Sequence, residues 1–518
     1  MNDVLILALD SGTSVVKAVA FDASGNEVAQ AARPNHCQQV PHGGVEQDMA
    51  ATAADALEVL AELIARLDGR RVAALAVTGQ GDGTWLIDAA GNPTGPAMLW
   101  LDGRAGAIVE SLRASPAAGR AFAHTGTGLN TCQQSAQLLW LAQADAPRLA
   151  AATTAFHCKD WLYFVLTGVR ATDPSEACFT FGDWRGRVYD EEVIEALGLS
   201  ALRGMLPPIV DGARSTHPLR PDLAARLGLR AGLPVVLGYV DVVCTALGAG
   251  LGADGAGVSI LGSTGMHMRL ARGVAQVVQN GEQTGYTMCL PLPAAWAQMQ
   301  TNMAATLNID WLVGLVAEAQ GLSGDARPKG DILALLDSRV MAGQTNGALF
   351  HPYLSTAGER GPFVDADARG SLFGIERGLG LIGLARAIYE GLAFAALDCF
   401  MAMGGPPAAV LVTGGAARSA AMRGILAATL DRPVRRVAQA EAGAAGAAMI
   451  AAVALGLFTD IGQAAEVWVA PRLGPPEKPD PTLSKRYAAA FPLYRESRRN
   501  VAPIWKGLAA LREMRHGA

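Results

Sequence analysis

The sequence predicts an α/β protein built from two similar halves, and two observations support this. Apolar runs of strand length alternate along the chain with stretches in which apolar residues recur at helical spacing. Strand–turn–strand patterns also open both halves, over residues 4–21 and 258–270, and each turn carries small hydroxylated residues. The repetition suggests a duplicated architecture with a ligand between the halves. Because hairpins are common, the residues alone leave chance repetition as an equally good explanation.

The elements of the first half follow in order. Residues 4–9 and 15–21 are the apolar runs of two paired strands, with a tight turn between them. A helix is predicted by apolar residues at helical spacing, namely Leu57, Leu60, Ile64 and Leu67. Residues 72–77 then form a third strand.

The second half repeats this order. Residues 258–261 and 266–270 are paired strands around a turn of small residues, and residues 408–412 form a strand that runs into two glycines. The helix that follows has apolar residues on one face, namely Met422, Ile425, Leu426 and Leu430.

Three stretches of unusual composition divide the chain. The glycine-rich residues 248–257 mark the best boundary between the halves. Residues 442–458 are uncharged, mostly Ala and Gly, and just short of membrane-spanning length, which favours a tightly packed helix over a membrane span. A proline-rich stretch after about residue 475 leads into a charged helical tail.

The composition excludes several classes of protein. The 518 residues are 51% hydrophobic and 17% charged, with a mean hydropathy of +0.23, which is too apolar for a disordered chain. The net charge is −5, and the sequence has no block of basic residues that could bind the phosphates of a nucleic acid. A small-molecule partner is therefore expected. The seven cysteines lack disulfide or zinc spacing, and no basic leader precedes the first strand. These features predict a cytoplasmic protein without membrane spans.

Three segments could carry chemistry. The first is Asp10-Ser11-Gly12-Thr13-Ser14 with Lys17, where free N–H groups and hydroxyls can hold a phosphate and the carboxylate can hold Mg²⁺. The alternative is an ordinary hairpin turn with a solvated Asp10. The second is Asp241, which follows an apolar run and is either a helix N-cap or a placed base.

The third segment joins the strand-to-helix junction at 412–416 to residues 441–446. Glycines at both places allow a flat base or a ribose to approach the backbone closely. The alternative is that these glycines only let helices pack against a sheet. The glycines at 248–252 do not have dinucleotide-binding spacing, and we reject that interpretation.

Seven segments in chain order resemble the FGGY family of carbohydrate kinases. They are LALDSGTSVVKAVAFD at 7–22, EQD at 46–48, LWLDGR at 99–104, KDWLYFVLTG at 159–168, ATDPSEA at 171–177, PYLSTAGERGPFVDADARGSLFG at 352–374 and VTGGAARSAAMRGILA at 412–427. The resemblance extends from about residue 4 to 460. Three further segments are most similar to the erythritol kinase branch of the family: GQGDGTWLID at 79–88, GTGLNTCQQ at 126–134 and FHCKDWLYF at 156–164.

The resemblance implies the actin-like, ribonuclease H-like duplicated fold, with ATP and a sugar meeting in a cleft. The implied units are an N-terminal sugar-binding and phosphate domain over 1–252, a C-terminal nucleotide-binding domain over 253–480, and a helical tail over 481–518. It further implies ATP-dependent phosphorylation of a terminal hydroxyl on a small polyol or sugar, with Mg²⁺ as cofactor and a homodimer as the assembly.

Site residues are implied by the same resemblance. Asp10 would bind Mg²⁺, directly or through water, and Asp241 would be the general base. The implied ATP and phosphate contacts are Gly12, Thr13, Ser14, Lys17, Gly262, Ser263, Thr264, Gly265, Gly414, Gly415, Ala416 and Ala417. The implied substrate contacts are Gln80, Asp82, Trp100 and Asp241. We expect Asp10 and Asp241 on opposite halves, so that domain closure joins metal and base.

Asp82 indicates which class of substrate the protein accepts. In a Gly-rich turn after a strand its side chain can project into a cleft, and a carboxylate can accept two hydroxyl hydrogens of a vicinal diol. The resembling turn carries His in xylulokinases and Glu in glycerol kinases, so Asp82 favours a polyol, with erythritol the first choice. A turn cap formed by Asp82, a kinase for D- or L-xylulose, and a non-catalytic actin-like sugar sensor are the alternatives.

Overall fold

A computed structural model describes residues 4–252, 255–322 and 327–516. The first half contains the strands β1 (Val4–Ser11), β2 (Val15–Phe21), β3 (Glu27–Pro34), β4 (Cys37–Val40), β5 (Gly44–Gln47), β6 (Arg71–Gly79), β7 (Trp85–Ile87), β8 (Ala97–Met98), β9 (Thr154–Phe156), β10 (Gly182–Asp183), β11 (Val188–Tyr189), β12 (His217–Pro218) and β13 (Pro234–Leu237). Its helices are α1 (Met49–Ala65), α2 (Gly106–Arg113), α3 (Pro116–Thr125), α4 (Gln134–Ala144), α5 (Ala146–Ala151), α6 (Cys158–Thr167), α7 (Pro174–Phe181), α8 (Glu191–Ala196), α9 (Pro221–Leu227) and α10 (Asp241–Gly248).

The second half follows a short link. Its strands are β14 (Ala256–Leu261), β15 (Gly265–Arg272), β16 (Tyr286–Cys289), β17 (Ala295–Asn302), β18 (Leu349–His351), β19 (Ser371–Phe373), β20 (Ala409–Thr413), β21 (Val434–Val437) and β22 (Leu473–Glu477). Its helices are α11 (Thr306–Leu322), α12 (Lys329–Arg339), α13 (Leu381–Ala402), α14 (Ala420–Leu430), α15 (Ala442–Ala454), α16 (Ile461–Trp468) and α17 (Pro481–His516). The expected domain boundary lies between residues 252 and 253, and residues 253 and 254 lie outside the described residues.

Two large sheets repeat one arrangement. Within the described residues, a six-stranded sheet has the order β12-β13-β6-β1-β2-β3, and a seven-stranded sheet has the order β16-β17-β15-β14-β20-β21-β22. In each, an antiparallel hairpin (β1–β2 or β14–β15) gains a third antiparallel strand and pairs with a parallel strand on its other side. The duplication predicted from the repeated hairpins is confirmed by this topology.

The predicted elements are found with small shifts at their ends. The second hairpin strand spans the predicted residues 15–21, and the strand expected at 408–412 is β20. Helix α1 ends at Ala65, so Leu67 packs in the core from the turn that follows. The apolar periodicity therefore located each element but did not fix where it stops.

The carboxyl ends of the parallel strands β1, β6 and β13 meet at one edge of the first sheet. Asp10 pairs with Thr78 in the β1–β6 ladder, and Asp241 begins α10 shortly after β13. Asp10 and Asp241 therefore lie on the same half, and the expectation that they lie on opposite halves is wrong. The reason is topological, because β13 returns to the first sheet beside β6 before the chain enters the second half.

Helices α10 and α15 pack against each other at the centre of the molecule. A Cβ atom on Gly446 would lie 1.8 Å from the carbonyl oxygen of Cys244, and one on Gly248 would lie 2.0 Å from that of Ala442. Both helices belong to a hydrophobic cluster that includes Ile6 of the first sheet and Val258 of the second. The tightly packed helix predicted within 442–458 is confirmed. Among the described residues, no helix is long and apolar enough to cross a membrane.

Helix α17 covers the predicted helical tail and packs on the second half. The Tyr487 hydroxyl donates to a Glu390 oxygen at 2.9 Å, and Trp505 Nε1 donates to Ser371 Oγ at 3.1 Å. Tyr487, Tyr494 and Trp505 are all buried, which ties this segment to the core.

Candidate functional site

The turn between β1 and β2 brings Asp10 to the cleft. The Gly12 amide donates to the Val15 carbonyl at 3.0 Å, which closes the turn and leaves Ser14 exposed. Burial raises the pKa of Asp10 to about 6; the positive charge of Lys17 opposes this and the negative charge of Glu441 adds to it. The predicted turn is thus present, and the Asp10 carboxylate is half-buried at the cleft rather than fully solvated.

Lys17 reaches across the cleft. Its Nζ lies 2.6 Å from Glu441 Oε2, so the cation predicted to contact phosphate forms an ion pair with the residue that precedes α15. A Cβ on the neighbouring Gly443 would lie 2.7 Å from Asp10 Oδ2. The glycine therefore lets the start of α15 approach the Asp10 carboxylate closely.

Asp241 is the first residue of α10, and the N-cap of this helix is Val240. The N-cap interpretation of Asp241 is therefore wrong. Burial raises the pKa of Asp241 well above its ordinary value, and the negative charge of Asp10 adds to the effect. A carboxylate with a raised affinity for a proton suits a general base.

A cavity of about 160 Å³ lies between the halves beside these carboxylates. The first half contributes Thr13, Gln80, Gly81, Asp82, Trp100, Asn130, Cys132, Phe179, Val240, Asp241 and Val242 to its wall. The second half contributes Thr264, Met266, Gly285, Tyr286, Met288, Met299, Thr301, Met303 and Arg360. Apolar walls with a few convergent polar groups are typical of a site for a small molecule.

Asp82 supplies the buried charge of this cavity. Its backbone is left-handed, with φ of 54°, and Gly83 follows with φ of 77°. Asp82 Oδ2 accepts hydrogen bonds from the Tyr286 hydroxyl at 3.0 Å and from Cys132 Sγ at 3.3 Å. Asp82 Oδ1 is buried and has no hydrogen-bond partner among the described residues. One oxygen therefore anchors the side chain and the other is available to a ligand.

Gln80, Trp100 and Thr13 connect the cavity to the β1–β2 turn. Trp100 Nε1 donates to Thr13 Oγ1 at 2.7 Å, and Thr13 Oγ1 donates to Gln80 Oε1 at 3.2 Å. Gln80 Nε2 in turn donates to Gln47 Oε1 at 3.0 Å. The Thr13 hydroxyl therefore bonds two of the predicted substrate contacts, Gln80 and Trp100, although Thr13 belongs to the turn predicted to hold phosphate.

The second-half loops lie on the opposite wall. The Gly262 amide donates to the Thr264 carbonyl at 3.1 Å, Ser263 is exposed, and Thr264 lines the cavity beside Gly265 at the start of β15. A Cβ on Gly414 would lie 2.7 Å from the carbonyl oxygen of Leu261, so the end of β20 adjoins this loop.

Gly414 has φ of 92°, a left-handed conformation that favours glycine. Gly415 follows, and Ala416 and Ala417 begin a short 3₁₀ turn. The two second-half segments predicted to contact ATP are thus neighbours in space.

Most of the cavity residues had no role predicted from the sequence, and three of these form polar surroundings of Asp82. They are Cys132, Tyr286 and Arg360, and Arg360 Nη1 lies 3.8 Å from Cys132 Sγ. Cys132 and Arg360 occur in segments that carried the family resemblance, which is the only signal that pointed to them. Tyr286 had none, because it reaches Asp82 from a strand 204 positions further along the chain.

Comparison with known proteins identifies the family. Residues 5–248 match the N-terminal domain of the FGGY family of carbohydrate kinases, and residues 257–455 match its C-terminal domain. The chain therefore belongs to the FGGY family of carbohydrate kinases. Such kinases transfer a phosphoryl group from ATP to a sugar or polyol, and the actin-like duplicated fold expected from the resemblance is confirmed.

Individual members of the family are similar to this chain over most of its length. The chain is 50% identical over 510 residues to an erythritol kinase of Brucella abortus, covering 98% of each protein. It is 30% identical to a xylulose kinase of Escherichia coli over 82% of this chain and 84% of the relative. Among solved structures, a xylulose kinase of Rhodospirillum rubrum matches with a TM-score of 0.86 at 26% identity, covering 97% of this chain and all of that one (100%).

Proposed function

We propose that this kinase transfers the terminal phosphoryl group of ATP to a terminal hydroxyl of a small polyol, with erythritol as the preferred acceptor. The observation that carries the proposal is the unpartnered Asp82 Oδ1 in a small cavity beside Asp241. A buried carboxylate oxygen needs hydrogen-bond donors, and neighbouring hydroxyls of a polyol supply them. The similarity to an erythritol kinase over nearly the whole chain supports the same acceptor.

The loops around the cavity would hold the nucleotide. The first turn (Gly12, Thr13, Ser14) and the second (Gly262, Ser263, Thr264, Gly265) would contact phosphates, together with Lys17. Because the Gly12 and Gly262 amides close their turns, the exposed hydroxyls of Ser14 and Ser263 would be the side-chain donors. The segment Gly414, Gly415, Ala416 would contact the adenosine. We retain residues 1–252 and 253–480 as the two domains that provide these loops.

Mg²⁺ fits the residues present. Asp10 offers hard carboxylate oxygens at the cleft, which are the ligands that Mg²⁺ prefers. The negative charge of Asp10 also raises the pKa of Asp241, so the two carboxylates lie close enough to repel each other. Asp10 would hold the ion directly or through water, and the bound ion would supply positive charge that offsets the phosphate charge.

Asp241 would act on the acceptor hydroxyl. The hydroxyl oxygen forms a bond to the γ-phosphorus while the bond from that phosphorus to the bridging oxygen of ADP breaks, and Asp241 takes up the hydroxyl proton. An alcohol is a weak acid, so the proton moves late, when the new bond is largely formed. Asp82 meanwhile accepts hydrogen bonds from the remaining hydroxyls and holds the acceptor in line.

Two alternatives lead to different observations. A xylulose kinase acts on a ketose, whose carbonyl group, unlike the matching hydroxyl of a polyol, has no hydrogen to donate to Asp82. A non-catalytic sugar sensor would lack the base, whereas Asp241 is present beside the cavity with a raised pKa.

A coupled assay of ADP release tests the proposal. Erythritol, threitol, glycerol, ribitol, D-xylulose and L-xylulose are compared at matched concentrations, with ATP alone as the control. We expect the highest kcat/KM for erythritol. Activity on the ketoses alone would overturn the acceptor, and ATP binding without acceptor-dependent turnover would favour the sensor.

The assembly and location expected from the sequence are part of the proposal. All seven cysteines are free thiols in the described chain, which suits a reducing cytoplasm. Light scattering on the purified protein tests the homodimer, and a monomer at micromolar concentration would exclude it.

A further inference from the structure

Beneath the cavity lies a cluster of charged side chains that the proposed chemistry does not use. Lys159, on the first turn of α6, is completely buried, and its Nζ lies 2.8 Å from Asp160 Oδ1 and 2.7 Å from Asp173 Oδ2. It also contacts Glu176 Oε2. All three carboxylates are buried as well. A lysine is buried in this way only when its charge is paired, so the cluster is a built feature of the fold.

One arm of the cluster reaches the substrate turn. Glu176, on α7, uses Oε2 for Lys159 and accepts the backbone amide of Asp82 on Oε1 at 2.9 Å. A Cβ on the preceding Gly81 would lie 2.3 Å from a Val240 methyl and 3.3 Å from the same Glu176 oxygen. The turn therefore lies directly on Glu176, and the position of the Asp82 backbone depends on it.

The other arm reaches the start of α10. Asp173, the N-cap of α7, contacts Lys159 with Oδ2 and accepts the Ser175 hydroxyl on Oδ1. Ser175 Oγ in turn accepts the backbone amide of Val240 at 3.3 Å. Val240 is the residue before Asp241 and the N-cap of its helix.

We propose that Lys159 is a positioning residue that holds the Asp82 turn through Glu176 and the Asp241 helix start through Asp173 and Ser175. Both carboxylates of the proposed reaction are thereby fixed to one buried cation. The inference rests on the proposed function, because it assigns the two arms to acceptor binding and to proton transfer.

The geometry favours the ammonium over a metal ion as the cation of this cluster. His157, Asp160 and Glu176 place ligand atoms within 4.8 Å of one another, a spacing that a metal could use. Lys159 Nζ already lies against both carboxylates of this set, Asp160 and Glu176. A divalent ion would have to displace the Lys159 ammonium, and the whole Lys159 side chain is buried.

Two variants separate the arms. Ser175→Ala removes the hydroxyl that holds Val240 and leaves Lys159 paired, so kcat should fall about tenfold with the acceptor KM within about twofold. Glu176→Gln leaves a single side-chain oxygen, which can accept from the Asp82 amide or from Lys159 but not from both in the present geometry. The acceptor KM should therefore rise about tenfold with a smaller change in kcat. Neither variant should change the KM for Mg·ATP by more than about twofold.

Matched controls remove the same chemistry elsewhere. Ser115→Ala deletes a hydroxyl that accepts an amide at the start of α3, and Glu390→Gln neutralises a buried carboxylate paired with Arg386 at 2.7 Å. Each control should lower Tm without separating kcat from KM. A Lys159→Met variant, if it folds, should show both kinetic defects together, and the two arm variants carry the test if it does not.

The wild-type enzyme is first assayed against the acceptor panel, and its best acceptor is used throughout. A failed acceptor assignment is then visible before any variant is made. The expected split between kcat and KM supports the positioning role. Unchanged kinetics with a lowered Tm, or equal changes in both KM values, would overturn it and leave the cluster with a structural role only.

Discussion

Asp241 occupies a setting that disfavours its ionised form. Burial, and then the charge of Asp10, raise its pKa well above the ordinary value. A carboxyl group whose pKa is raised on folding stabilises the fold below its unfolded pKa, and this stability is lost as the pH rises through the folded value. The stabilisation that protonated Asp241 gives the fold at low pH is therefore lost as the pH rises, as expected of a group kept for chemistry.

Asp241→Asn keeps the size of the side chain and removes the charge. We expect kcat to fall about 10²–10⁴-fold, because the amide cannot take up the proton. Tm should rise relative to wild type at about pH 8, and the gain should disappear at about pH 4. Thermal unfolding and the ADP assay measure both effects. Near-normal kcat would exclude Asp241 as the base.

Asp82 and Tyr286 offer a graded test of acceptor binding. Asp82→Ala removes the charged acceptor and should lower kcat/KM for the polyol about 10–150-fold. Tyr286→Phe removes only the hydroxyl on Asp82 Oδ2 and keeps the ring against Phe179, so a loss of about tenfold or less is expected. Acceptor-independent ATP hydrolysis should hardly change in either variant. An unaltered kcat/KM in Asp82→Ala would reopen the xylulose alternative.

Sequence reasoning found the carboxylates but not their partners. Asp10, Asp82 and Asp241 stand at or just after apolar strands, which singled them out, but the residues alone left a turn or cap as the alternative for each, and the roles of Asp10 and Asp241 came from the family resemblance. Tyr286 and Cys132 reach Asp82 only through tertiary packing, which leaves no periodic trace in the chain. The role of Lys159 was missed for the same reason, since its partners come from two helices.

The contact between helices α10 and α15 depends on one glycine from each helix, Gly248 and Gly446. The composition of residues 442–458 indicated close packing, but only the structure shows that α10 is the partner. The sequence could not reveal this pairing because the two helices belong to different halves. Their backbones approach closely at this contact, so a side chain there would push the two helices apart.

Gly446→Ala tests this contact. The new Cβ would lie 1.8 Å from the Cys244 carbonyl oxygen, so the helices must separate, and we expect a loss of roughly 1–3 kcal/mol of stability. The control is Gly507→Ala on the exposed face of α17, where no heavy atom of the described chain lies within 4 Å of the new Cβ. That change should be neutral or stabilise by about 0.4–1 kcal/mol. Equal Tm values for the two variants would contradict the assignment.

Across the cleft, the two halves are joined by side chains that also belong to the proposed site. Tyr286 reaches Asp82, and Lys17 forms its ion pair with Glu441. The sequence predicted that closure would join Asp10 to Asp241, yet both lie on one half, and the second half instead contributes Tyr286 and Thr264 to the opposite wall of the cavity. Asp82 therefore lies both on the proposed acceptor cavity and at a contact between the two halves.

Lys17 has two possible roles, and a pair of variants distinguishes them. If Lys17 serves only to bridge the halves, Lys17→Met and Glu441→Gln remove the same ion pair and should have equal effects on kinetics and Tm. If Lys17 contacts phosphate, as we propose, Lys17→Met should raise the KM for Mg·ATP about 10–150-fold, the usual range for a hydrogen bond to a charged group. Glu441→Gln should then change it about twofold at most, because it leaves the Lys17 cation in place. The acceptor KM should stay constant in both, since neither residue lines the cavity. Equal losses in the two variants would remove Lys17 from the phosphate site and leave it as a bridge between the halves.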